Sequence, residues 1–246
     1  MMKKGWLILA AAIVAVLVIF FVFSRFFVDL LWFSSLGFRN VFTTTWITVF
    51  TVFVIATGLS AAILLLNGFI ATRMTSAAPS RPQSFRIVTR GAQGIPEVIE
   101  LSLDKLPLRW IITAAAWVVG LFIGLAQTSN WDAILKFYYA VPFGRSDPLF
   151  GNDLGFYVFS LPVYQLLKDW GLLIIVLSGA AAVAIYLLRG GIDYQQRGFP
   201  ALSAAAIRHL SALLAIFFLV KAGSYILQRY ELLTSNNGIV FGAAYT

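Results

Sequence analysis

The chain has 246 residues, of which 60% are hydrophobic and only 11% charged, and its formal charge is +8. Water-soluble domains carry about 25% charged and about 45–50% apolar residues, so a water-facing globule is excluded and lipid is the expected solvent. With no cysteine and a single histidine, His209, the chain cannot itself supply a disulfide framework, a thiolate zinc site, an iron–sulfur cluster or a cysteine nucleophile.

A membrane-crossing helix needs about 20 mainly apolar residues. Five stretches qualify, at about 5–23, 46–66, 110–126, 171–188 and 210–228. The first follows Lys3 and Lys4 and has no small-x-small cleavage site behind it, so it reads as an uncleaved signal anchor. Asn67-Gly68 is expected to close the second helix and Gly190-Gly191 the fourth, because both residue types suit a left-handed C-cap. Residues 67–109 form a loop whose four prolines predict an irregular start, followed by a short surface helix over 95–106. A loop at 127–170 holds eleven aromatic residues and is expected to lie at the membrane surface as re-entrant or interfacial segments. Within it, Ser129-Asn130-Trp131-Asp132 has capping-box spacing and predicts a short helix through Tyr139. The fold class is therefore all-α: a polytopic transmembrane bundle of about five spanning helices with short interfacial ones.

The charges orient this bundle. With Lys3 and Lys4 inside, the inner segments hold eleven basic and four acidic residues, and the outer segments hold six of each. This positive-inside bias puts the N-terminus in the cytoplasm of a cell membrane and the C-terminus outside. It also accounts for the basicity through anionic lipid at the cytoplasmic face, so nucleic acid is not an expected partner. Leu36-Gly37-Phe38 and Leu154-Gly155-Phe156 each precede a helix. A three-residue match is weak evidence of duplication.

Three blocks carry a family resemblance. They are DLLWFSSLGF at 29–38 followed by Val41-Phe42, DPLFGNDLGFYVFSLP at 147–162, and Lys221-Ala222-Gly223 through RYELL at 229–233, ending in GIVFGAAYT at 238–246. In this order and spacing the chain resembles uncharacterised protein family 0182 of the UPF series, large bacterial multi-pass membrane proteins. The resemblance implies a longer protein, with further membrane helices and a large extracytoplasmic region, of which this chain looks like the N-terminal part. It brings no activity with it.

The costliest residue is Lys221, deep in the last span, since a charge at the bilayer centre costs about 2.5–3.5 kcal/mol on insertion scales. Lys221, Ser224, Gln228 and Glu231, with Tyr225 beside them, make a polar stripe in the outer half of that helix. Thr44, Thr48 and Thr51 make another in the outer half of the second helix. Either the stripes face one another or a common cleft open to the outside, or their hydroxyls bond to their own helix carbonyls. Gly120 and Gly124, Gly58 and Ala62, and Ser178 through Ala182 offer small-residue packing faces, within the chain or between copies. Asp147, Asn152 and Asp153 offer oxygen ligands, but not at EF-hand spacing, and turn roles suit them better. His209 is expected to be solvated or lipid-facing.

No hydrolase, nucleotide or metalloprotease signature is present, so neither an enzyme nor a cofactor is expected. The best reading is a membrane anchor or assembly platform for an extracytoplasmic region. The alternative is a transporter or channel component with a polar outer-half cleft around Lys221.

Overall fold

In the computed structural model, residues 2–76, 84–90, 96–102, 107–193, 201–234 and 242 are described. The irregular start expected for the first long loop at 77–83, and all of the block at 238–246 except Gly242, lie outside them. Among the described residues six α-helices follow in order: α1 (Met2–Ser35), α2 (Arg39–Ser76), α3 (Leu108–Gln127), α4 (Trp131–Tyr138), α5 (Leu161–Leu188) and α6 (Ala204–Glu231). They fall in five segments long and apolar enough to cross a membrane, α4 sharing Leu108–Tyr138 with α3. Every helix containing a predicted span is longer than that span. The 38 residues of α2 reach about 57 Å at 1.5 Å each, against a hydrocarbon layer of about 30 Å.

The chain divides into two units, 1–51 and 52–246. In the first, α1 ends where Gly37 turns left-handed at φ +79. Its amide donates to Ser34 O at 3.1 Å and that of Phe38 to Phe33 O at 2.9 Å, a Schellman closure. Beyond this turn the start of α2 packs its aromatic rings on α1. Phe42 is buried, 5.2 Å from Phe26 and 5.6 Å from Phe33 between ring centres. Trp46 meets Phe26 edge-on at 5.1 Å. The Gly155 of the second Leu-Gly-Phe triplet is helical, at φ −59, so the two triplets do different work.

The second unit is held by close approach. A β-carbon on Gly120 would lie 3.0 Å from both Ala61 Cβ and Thr57 O, and one on Gly124 would collide with the Thr57 hydroxyl. The Gly-x-x-x-Gly of α3 therefore packs on α2 within the chain. On α2 itself the packing face is Thr57 and Ala61, which are buried, not the expected Gly58 and Ala62. Gly58 has nothing within 4 Å of a built β-carbon.

Asn67-Gly68 does not end α2. Gly68 lets Ile112 approach, since a β-carbon there would sit 2.6 Å from its side chain. Asn67 Nδ2 donates to Ser178 O of α5 at 2.7 Å. Both residues serve helix packing, and the helix runs on to Ser76. The expectation for Gly190-Gly191 holds. Gly190 is left-handed at φ +73, and its amide and that of Gly191 donate to Leu187 O and Tyr186 O at 3.5 and 2.7 Å.

Two further expectations are corrected. Residues 96–102 form a strand, β2 (Pro96–Ser102), not a helix, and it pairs antiparallel with β1 (Ser84–Arg90), Ile87 opposite Ile99 and Val88 opposite Val98. The β-branched run Val98-Ile99 favours a pleated surface. The short helix α4 forms, but Asn130 makes no side-chain cap. The Ser129 hydroxyl turns back to Ala126 O at 2.8 Å, and a 3₁₀ turn at Thr128–Asn130 joins α3 to α4. A small hairpin, β3 (Ile192–Asp193) with β4 (Ala201–Leu202), leads into α6, where Ser203 caps the helix by accepting from Ala206 N at 3.2 Å.

Gly124→Leu is expected to destabilise the protein by about 1–3 kcal/mol through overpacking, while Gly58→Ala is expected to be neutral or slightly stabilising. Unfolding by denaturing detergent in mixed micelles, followed by circular dichroism, measures both.

Candidate functional site

Between α4 and α5 the chain is organised by two carboxylates. Asp147 is buried, at 7% exposure. Its Oδ1 accepts from the amides of Leu149 and Phe150 at 2.8 and 2.7 Å. Its Oδ2 accepts from the amide of Asn152 at 3.1 Å and from the Tyr157 hydroxyl at 2.6 Å. Asp153 Oδ1 accepts from the amides of Phe143 and Gly155 at 3.0 and 2.7 Å, and its Oδ2 from that of Gly144 at 2.9 Å. Gly144 and Gly151 supply the left-handed residues at φ +68 and +71 that let the backbone wrap the acids. The turn role expected for Asp147 and Asp153 is what the geometry shows.

These bonds set the charge state. For Asp147 burial pushes the carboxyl up, but the Tyr157 phenol and the three amides outweigh it and the acidity is strengthened overall. For Asp153 the amides of Phe143 and Gly155 lead, and its carboxyl is also held below the ordinary value.

The wrapped loop then docks on two helices through aromatic rings. A π-helical turn at Phe156–Ser160 leads into α5. Tyr230, near the end of α6, meets Phe150 at 5.0 Å and Phe156 at 5.1 Å, both edge-on, the geometry ring quadrupoles prefer. Arg229 lies 5.5 Å over Phe150 and 4.6 Å over Tyr230 and donates to the Tyr230 hydroxyl at 2.6 Å. Gln165 of α5 donates to Glu231 of α6 at 2.9 Å. Residues 161–170, expected in a surface loop, are the first turns of α5. The aromatic loop is thus a folded cap on the ends of α5 and α6.

The predicted stripes divide. In α6, Ser224 is buried and its hydroxyl donates to Lys221 O at 2.6 Å, whereas Tyr225 and Gln228 are exposed and Lys221 is half-buried. The Lys221 ammonium lies 5.7 Å from the Tyr225 ring. In α2, Thr44 and Thr48 are half-buried and Thr51 is exposed. The Thr48 hydroxyl donates to Thr44 O at 2.8 Å.

His209 is neither solvated nor lipid-facing. It is 8% exposed, and its Nδ1 is 3.0 Å from the hydroxyl of Tyr186, itself at 0%. Met74 Sδ lies 3.7 Å from the same hydroxyl. All three groups are satisfied when Nδ1–H donates to the phenol oxygen and the phenol proton points to sulfur. Ala71, Ala182, Ile185, Ile192 and Ala206 surround the pair. Reading along the chain misses this contact, because Tyr186 and His209 are on different helices. It also misses the α2–α5 seam, where Trp170 Nε1 donates to Ser60 Oγ at 3.0 Å, although Ser60 and Asn67 at heptad spacing mark one face of α2.

Five apolar helices of membrane-crossing length define a polytopic transmembrane helix bundle. The chain belongs to the Uncharacterised protein family (UPF0182), whose profile matches residues 6–246. It is 41% identical over 242 residues to the UPF0182 protein of Bradyrhizobium diazoefficiens, covering 98% of this chain and 26% of that protein. It is 39% identical over 241 residues to that of Cupriavidus necator, covering 97% of this chain and 25% of the relative. With that of Kocuria rhizophila the identity is 32% over 246 residues, covering 99% and 24%. The chain therefore spans about a quarter of the length of the curated relatives it matches. No solved structure matches.

Asp147→Ala is expected to leave the helices inserted but to speed amide exchange at Leu149, Phe150 and Asn152 by roughly tenfold or more, as each loses an acceptor. The folded pKa values of Asp147 and Asp153 lie below the unfolded ones, so their stabilisation of the cap is full above about pH 4 and is lost as pH falls through the lowered values. Hydrogen exchange across 143–155 as a function of pH measures this.

Proposed function

We propose that this chain is a membrane anchor and assembly platform, seated in the cell membrane with its N-terminus in the cytoplasm, that carries the extracytoplasmic region of a longer protein. The cap carries this reading. Its loop is tied through Asp147 and Asp153 and packed against Tyr230, so the chain leaves α6 beside a rigid, aromatic-lined surface. A flexible tether would need none of these bonds. The small share of its relatives that the chain covers supports the presence of a larger region for such a surface to hold.

The orientation rests on charge. The loops after α2 and α5 and the N-terminus hold the basic excess, and anionic lipid at the cytoplasmic face attracts each basic residue near the surface by about 1 kcal/mol. The reading is structural, not catalytic: the histidine is buried against Tyr186, and the two best-placed carboxylates are occupied by amides.

Two experiments test it. Alkaline phosphatase fused after residue 234 or within 140–146 should be active, and fused within 77–83 or 194–200 inactive. The opposite pattern would reverse the orientation. In the full-length protein, Asp147→Ala with Asp153→Ala should preserve resistance to carbonate extraction while exposing the extracytoplasmic region to added protease. Unchanged protease resistance would remove the platform reading.

A further inference from the structure

The exposed side of α6 near its C-terminal end carries a charge pattern of which the cap uses only Arg229. Lys221, Tyr225 and Arg229 follow one another at i, i+4 and i+8, with Gln228 beside them, so all four share one side of the helix. Lys221 lies eight residues before Arg229, about 12 Å deeper along the axis. Helix geometry tilts the Tyr225 ring back over the turn that holds Lys221, and the Lys221 ammonium lies 5.7 Å from the centre of that ring. Tyr225 is 62% exposed. The guanidinium of Arg229, held over Phe150 and Tyr230, keeps donors beyond the one bonded to the Tyr230 hydroxyl.

Among the described residues, neither the Lys136–Asp132 nor the Lys168–Asp169 ion pair balances this face. The nearest acid on the helix, Glu231, is engaged by Gln165 of α5, and Ser224 is turned to the carbonyl of Lys221. Asp169 of α5 lies 3.2 Å from Lys168. Toward the helix N-terminus the stripe continues into exposed Phe218 and Leu214. Two cations, an amide and a phenol thus stand above an apolar strip.

We propose that this face of α6 binds a phospholipid whose headgroup carries net negative charge. Its phosphate takes charge-assisted hydrogen bonds from the Lys221 ammonium beside the Tyr225 ring, from Gln228 and from the remaining Arg229 donors, and an acyl chain lies along Phe218 and Leu214. A zwitterionic headgroup would bring its own cation against these two and is disfavoured. The proposal is independent of the platform reading, which does not use Lys221.

The test uses full-length protein, purified in a mild non-ionic detergent, stripped of lipid and titrated with phosphatidylglycerol or phosphatidylcholine while bound lipid is counted by native mass spectrometry. The wild type should prefer phosphatidylglycerol. Lys221→Met should lower that preference by about fivefold, the fold-change of one cation near an anionic headgroup, and Lys221→Arg should retain it. Lys221→Met removes a charge from an apolar setting, so its thermal unfolding should be unchanged or raised, separating lost binding from lost folding. Equal retention of the two lipids, or a preference that Lys221→Met leaves intact, would overturn the proposal. So would a photoreactive residue at position 228 that labels an acidic transmembrane peptide in place of lipid.

Discussion

Lipid tails offer neither a hydrogen bond nor a reason for one apolar surface to prefer another over the tails themselves, and both facts shape this molecule. Every backbone group in the hydrocarbon must be satisfied by the protein itself, which leaves helices or a closed barrel, and long unbroken apolar runs select helices. The helices must then be held by contacts better than those with lipid. Here these are close approaches at Gly120, Gly124 and Gly68 and a few polar bonds, Trp170 to Ser60 and Asn67 to the Ser178 carbonyl. The buried cluster around Tyr186 is likewise rich in alanine, the residue that lets helix backbones come near.

The polar residues sort by what they bond to. Ser60, Asn67, Tyr186 and His209 tie helices to one another. Ser224 and Thr48 bond within their own helices. Asp147 and Asp153 do neither: they gather the amides of a loop whose own pairing is a single antiparallel bridge between Ser146 and Asp153. This explains how a long irregular segment stays ordered at the end of a bundle, since its backbone groups are satisfied by two carboxylates placed six residues apart and by its neighbours.

The number of spans, the signature blocks of the family and the stop at Gly190-Gly191 were legible in the sequence, because each depends on local composition or on one residue's backbone freedom. Asn67-Gly68 offered the same local cue and meant something else. The letters suit a cap, but Ile112 and Ser178, distant in the chain, claim them for packing, and the helix runs on. The short helix expected at 95–106 failed for a related reason: its apolar residues also suit a strand once β1 is available to pair with. The polar stripe of α6 was visible as a stripe, but not that Ser224 turns inward while Tyr225 and Gln228 stay exposed.

What the sequence alone determined is the class: 60% hydrophobic residues in five long runs leave no soluble alternative, because the cost of exposing them to water is summed over the whole chain and does not depend on arrangement. What only the tertiary structure decided is the meaning of individual polar and small residues. Whether a glycine caps or packs, whether the one histidine meets lipid or tyrosine, and whether two aspartates hold a cation or a loop depend on which neighbours lie within about 3 Å, and those neighbours come from parts of the chain that no local pattern connects.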